Sequence, residues 1–88
     1  MPINKVLKSD TFISIMFEDK SVILIKFGTR FREIRKSKNY SQAQLANELN
    51  VEISQISRIE RGLLNTSVYF LYSVSEVLQV EPDRFFDF

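Results

Sequence analysis

Residues 41–62 read Ser41-Gln42-Ala43-Gln44-Leu45-Ala46-Asn47-Glu48-Leu49-Asn50-Val51-Glu52-Ile53-Ser54-Gln55-Ile56-Ser57-Arg58-Ile59-Glu60-Arg61-Gly62. Ser41 with Gln44 three residues on has the spacing of a capping box, in which hydroxyl and amide each satisfy the other's backbone donor at a helix start. A helix opening there turns Leu45, Ala46 and Leu49 to one side. Asn50 suits its stop because asparagine tolerates the left-handed conformation. A few residues later a second helix, over about 53–61, puts Ile56 and Ile59 inward, and Gly62 ends it. With those isoleucines fixing the inward direction, Ser54, Ser57, Arg58 and Arg61 face outward. Ile53 and Gln55 fall on the flanks, and Glu60 lies near the core edge.

Upstream, residues 27–38 also read as a helix. Phe27, Phe31 and Ile34 fall within roughly 60° of one another on the helical wheel, with Arg32 and Lys36 facing away and Arg35 on the flank. Asn39-Tyr40 breaks the pattern. Before it, Thr11-Phe12-Ile13-Ser14-Ile15-Met16-Phe17 and Val22-Ile23-Leu24-Ile25 are rich in β-formers and flank the polar Glu18-Asp19-Lys20-Ser21. They predict a β-hairpin or two short strands, so residues 1–23 are assigned to an N-terminal arm and 24–88 to a helical domain. A lone hairpin is marginal in water and needs cover. Downstream, Thr66 or Ser67 caps a fourth helix to about Leu78, with Val68, Leu71, Tyr72, Ser75 and Leu78 toward the core. Phe70, Val77 and partly Val74 then point elsewhere. That helix is apolar nearly all round, which argues for cover on both sides. Pro82 begins a last short turn.

Composition narrows the chemistry. The 88 residues suffice for one small domain. The chain holds no Cys and no His, and its only glycines are Gly28 and Gly62. Disulfides, thiolate or imidazole metal sites and glycine-rich phosphate cradles are therefore not available. No constellation of nucleophile, base or metal ligand can be written, so no enzyme activity, cofactor or metal is expected. No apolar run approaches the roughly 18 to 20 residues of a membrane span, and no secretory pattern stands out. The expected location is the cytoplasm. Net charge is +1, but residues 26–61 carry eight Lys/Arg against four Glu, and residues 62–88 carry one Arg against four acids. On charge alone the basic middle segment reads as the solvated side of a helix; it also fits an anion-binding face.

Two short helices joined by a tight turn, the second presenting Ser and Arg outward, suggest a helix-turn-helix. Arg58 can reach a guanine edge with two parallel hydrogen bonds. Arg61, at the helix end, is better placed for phosphate. Gln42 can offer its amide and the helix start to the DNA backbone. Arg30, Arg32, Lys36 and Lys38 read as a solvated face, with Lys38 the best placed of the four for phosphate.

The ordered set Phe27-Gly28-Thr29-Arg30-Phe31-Arg32-Glu33-Ile34-Arg35-Lys36, Ser41-Gln42-Ala43-Gln44-Leu45-Ala46, Asn50-Val51, Ile56-Ser57-Arg58-Ile59-Glu60-Arg61-Gly62, Leu71, Leu78-Gln79-Val80 and Pro82-Asp83 with Phe85-Phe86 resembles the Xre, or lambda Cro/cI-type, helix-turn-helix regulators. The resemblance covers about two-thirds of the chain. It implies a mainly α, five-helix domain that binds operator DNA as a homodimer, with helix 53–61 in the major groove. By position it makes Gln42, Ile53, Ser54 and Arg58 the base-reading residues, and Ser57, Arg61 and Asn65 backbone contacts. It also implies an ion pair between Arg35 and Glu60 that fixes the first helix against the third. Ile53 cannot hydrogen-bond a base but can touch a thymine methyl. Several residues depart from the family pattern. Asn39 replaces a common glycine, and Glu52 sits at the usual Ser/Thr cap. Leu63-Leu64 replaces a polar or basic pair, and Thr66 a frequent proline.

The expected function is sequence-specific transcription regulation, repression being the favoured sign, by a homodimer on double-stranded DNA with no small-molecule ligand. Dimerisation is expected through Phe70, Val77, Phe85, Phe86, Phe88 and the arm. The alternatives are a protein-interaction module on the same fold, such as an antitoxin or adaptor, and a restriction–modification controller, which still binds DNA.

Overall fold

One apolar stripe organises the first helix. Leu24, Phe27, Phe31 and Ile34 recur at helical spacing, and α1 runs over Lys20–Ser37 in the computed structural model, which describes residues 20–88. The expected strand at Val22–Ile25 is therefore a helix. Its β-branched residues each cost only a few tenths of a kcal/mol in helix propensity. Each adds one hydrogen bond to a helix whose apolar stripe is held in the core by Phe27, Phe31 and Ile34. Among the described residues, α1 thus includes residues 20–23, which the sequence pattern assigns to the arm. The expected β-like arm otherwise falls on residues 1–19, outside the described residues.

After α1 the chain forms α2 (Gln42–Leu49), α3 (Ile53–Glu60), α4 (Val68–Leu78) and a 3-10 helix over Pro82–Phe86. Among the described residues there are four α-helices and no strand. The expected count of five is not reached in α-helices: the last segment is a short 3-10 turn with Pro82 at its first position. Each boundary has a local cause. At α2 the capping box is complete, with Gln44 N donating to Ser41 Oγ at 3.0 Å and Ser41 N donating to Gln44 Oε1 at 2.8 Å. Ser67 caps α4 through Phe70 N at 3.0 Å. Asn39, Asn50 and Gln79 take positive φ angles of 64°, 57° and 57° and stop the helices before them.

The helices close on one core. Phe31, Leu45, Ile56, Ile59, Val74 and Phe85 are fully buried. α3 packs between α1 and α2, α4 against α2, and the 3-10 helix against α1 and α4. Phe85 is seated on α1, its ring 5.6 Å from Phe31 and 6.1 Å from Phe27. Arg30 ties down the same turn, with Nε donating to Arg84 O at 3.0 Å. Helix α4 is rotated from the wheel's expectation. Val74 is in the core, whereas Val68 is 85% exposed and Tyr72 also faces solvent. Val74, Ser75 and Leu78 set the inward direction, and Phe70 and Val77 pack half-buried beside it. Two inward arcs were open to so apolar a helix, and contact with α2 and the 3-10 helix selects one.

Gly28 sets how closely α1 meets α3. A Cβ there would collide with the backbone carbonyl oxygen of Ile59 and lie 2.7 Å from that of Glu60. In an unobstructed helix interior, Gly→Ala stabilises by about 1 kcal/mol. Here Gly28→Ala is expected to lower stability instead, since forcing a methyl into a packed contact costs roughly 1–3 kcal/mol. A urea midpoint left unchanged or raised would show that the two helices can separate freely.

Candidate nucleic-acid interface

The outward side of α3 carries the strip expected from the sequence. Ile53, Ser54, Arg58 and Arg61 are exposed, and Ser57 is half-buried. Opposite them Ile56 and Ile59 are fully buried, so helical periodicity alone sets the two faces apart. Ser54, Arg58 and Asn65 line one open groove of about 550 Å³ together with Glu52, Gln55 and Leu64. Arg58 makes no side-chain hydrogen bond or ion pair among the described residues, so its five donors are available. Arg61 Nε reaches back to Ser57 Oγ at 3.3 Å, which draws these two expected phosphate contacts together. Lys38 is exposed in the turn between α1 and α2.

Below this strip lies a buried polar network. Arg35 Nε donates to Glu60 Oε2 at 2.6 Å and Nη2 to Glu60 Oε1 at 3.1 Å, a two-pronged pair between α1 and α3. Arg35 Nη1 donates to Tyr40 O at 2.7 Å, pinning the turn before α2. Gln42 Nε2 donates to Glu60 Oε1 at 2.9 Å. No described buried side-chain nitrogen or oxygen is left without a partner, so the network meets the condition under which a buried charge pair is tolerable.

Two of the expected site residues are engaged within the fold. Gln42 is half-buried with one amide N–H committed to Glu60, leaving its carbonyl oxygen and second N–H for a ligand. Of the dimer candidates, Phe85 is 0% exposed and cannot meet a partner; its ring fills the gap between α1 and the 3-10 helix. The other four each line a different groove. Phe70 lines the groove beside Ser54 and Arg58. Val77 lines another with Leu49, Tyr69 and Tyr72. Phe86 lies beside Ile23, Leu24 and Val68, and Phe88 beside Ile25 and Lys26. The bond from Gln42 to Glu60 was not read from the sequence, because no local spacing links positions 18 residues apart.

Arg30 and Arg35 account for part of the basic middle segment, and both are engaged by partners within the fold. Arg35 is neutralised internally by Glu60, and Arg30 binds the C-terminal turn and lies 3.9 Å from Asp87. Among the described residues, no group of three or more His, Cys, Asp or Glu could hold a metal ion, and no helix is long and apolar enough to cross a membrane.

The helix-turn-helix family model HTH_3 matches residues 31–85. The control protein C.BamHI of Bacillus amyloliquefaciens is 42% identical over 67 residues, which is 75% of this chain and 83% of that protein. The HTH-type transcriptional regulator SinR of Bacillus subtilis (strain 168) is 43% identical over 61 residues, 68% of this chain, but the match spans only 55% of SinR. Among solved structures, the restriction-modification controller protein C.AhdI from Aeromonas hydrophila superposes with a TM-score of 0.72 at 34% identity, covering 76% of this chain and 97% of that one. SinR, solved in complex with DNA, superposes with a TM-score of 0.65 at 42% identity, covering 69% and 98%.

The buried pair generates a stability test. Glu60→Ala strands a buried guanidinium and is expected to cost about 3–5 kcal/mol. Arg35→Met combined with Glu60→Leu removes both charges and is expected to restore most of that loss. Thermal unfolding of the single and double variants measures the difference. Equal losses in both would mean that packing around these side chains, not charge pairing, holds α1 on α3.

Proposed function

This chain belongs to the helix-turn-helix family HTH_3, and from that premise we propose that it is a sequence-specific DNA-binding transcription regulator, a repressor acting as a cytoplasmic homodimer. The observation that carries the reading is the uncommitted Arg58 beside Ser54 on the exposed side of α3, above a helix pair locked by Arg35 and Glu60. In the proposed complex α3 enters the major groove, Arg58 and Ser54 meet base edges, and Ile53 and Gln42 flank them. Lys38, Ser57, Arg61 and Asn65 contact the DNA backbone and set register. Two copies place their recognition helices about 34–36 Å apart on one face of the duplex. The dimer contact is assigned to the apolar surface of α4 with Val77, Phe86 and Phe88, all at least partly accessible. Phe70 is the weakest member of that set, since it lies on the recognition-helix side.

The similarity to C.BamHI and C.AhdI supports a narrower version, a controller within a restriction–modification system, which uses the same DNA-reading geometry. The exposed Leu63, Tyr69 and Tyr72 favour the other class, a protein-interaction module. Selection of bound duplexes from a random DNA pool separates the two classes. A two-fold-symmetric motif is the expected result; no enriched sequence and no salt-dependent binding would leave the interaction module standing.

Two substitutions divide the strip by role. Arg58→Ala is expected to cost roughly 1–3 kcal/mol at the selected site and to relax preference at one base. Arg61→Ala is expected to weaken all sequences alike and to reduce the salt slope by about one. Unchanged cognate affinity in the first, or an unchanged slope in the second, removes that residue from its role.

A further inference from the structure

Glu52 and Ile53 stand side by side at the start of the exposed strip, and among the described residues neither side chain makes a hydrogen bond or packs into the core. Glu52 occupies the N-cap of α3, yet its side chain makes no cap hydrogen bond. It belongs to no ion pair among the described residues. Ile53 is 49% exposed and is not among the apolar residues packed against the core. On a surface that must approach phosphates, a carboxylate is repelled and an isoleucine offers no hydrogen bond. At a DNA surface each would therefore need a ligand group that favours it.

The major groove offers one for each. An ionised carboxylate only accepts hydrogen bonds, and the base edges supply donors only at the exocyclic amino groups of cytosine and adenine. Adenine N7, an acceptor beside the amino group, repels a carboxylate, whereas cytosine presents no acceptor next to its N4 amino group. The apolar feature of the groove is the C5-methyl of thymine. Resting on the DNA-reading function above, we propose that Glu52 and Ile53 are specificity-determining residues for a pyrimidine-containing half-site, Glu52 accepting from a cytosine N4 amino group and Ile53 covering a thymine C5-methyl. Glu52 shares its groove with Ser54 and Arg58, so a donor-seeking carboxylate and an acceptor-seeking guanidinium address the same stretch of duplex. The carboxylate also disfavours binding wherever no amino group meets it, which sharpens selectivity at the expense of overall affinity.

The test uses the whole chain and synthetic duplexes carrying the selected site. Replacing thymines one at a time with deoxyuridine removes only the methyl. One position per half-site is expected to lose about fourfold in affinity, the worth of one buried methyl. Ile53→Ser is expected to bind the thymine and deoxyuridine duplexes equally. At that position 5-methylcytosine is expected to bind better than cytosine, which separates the methyl from base-pair identity. Glu52→Ala is expected to relax the cytosine preference at one position about tenfold while raising affinity for unrelated duplexes. Deoxyuridine tolerated at every position, or a cytosine preference untouched by Glu52→Ala, overturns the corresponding assignment, and weakening by Arg58→Ala would show that DNA reading itself still holds. Absence of any sequence-dependent binding overturns both together.

Discussion

The contact between α1 and α3 is the constraint on which the rest of the domain depends. Two features hold it. Gly28 removes the side chain that would keep the backbones apart, and Arg35 spans the gap to grip Glu60 in a two-pronged pair. A buried ion pair adds little net stability over an apolar pair of similar volume. What it contributes here is direction, since a guanidinium and a carboxylate satisfy both prongs in few relative orientations. Through Nη1 and Tyr40 O the same arginine fixes the turn before α2, and through Gln42 the same glutamate holds the first residue of α2. One pair therefore registers three helices, and the exposed side of α3 inherits its tilt from them.

Much of this was legible in the sequence where local chemistry decides structure. The capping box at Ser41 and Gln44, the asparagine stops at Asn39 and Asn50, and the inward Ile56 and Ile59 each depend on neighbours within a few residues, and each was correctly expected. The failures share the opposite property. Val22–Ile25 has strand-like composition but joins a helix because the stripe behind it continues through Leu24. The facing of α4 was ambiguous because an almost wholly apolar helix carries little phase information, and packing against α2 selected Val74 over Val68. Phe85 looked like surface because nothing near it in sequence reveals the hole it fills.

The recognition surface has a similar division. Its polar strip follows from periodicity alone. Its electrostatic strength does not follow from the charge count, because Arg35 is consumed by Glu60 and Arg30 by the C-terminal turn. A basic segment in sequence thus becomes a modestly charged surface in space. In the proposed complex, binding would then lean more on base contacts than on phosphate attraction. That fits a strip in which serines leave room for close approach, and in which a carboxylate is tolerated beside an arginine.

The seating of Phe85 also bears on how the chain is made. α1 leaves the ribosome early, with Phe27 and Phe31 on one side, and the ring that seals them arrives only with the 3-10 helix, as Arg30 likewise waits for Arg84, 54 residues further on. Vectorial synthesis therefore cannot finish the core until that segment emerges. A nascent polypeptide stalled or clipped before it would leave two aromatic rings bare, the kind of surface that chaperones hold and proteases clear. Completion of the core is thereby tied to those few residues, whatever the helices before them have already formed.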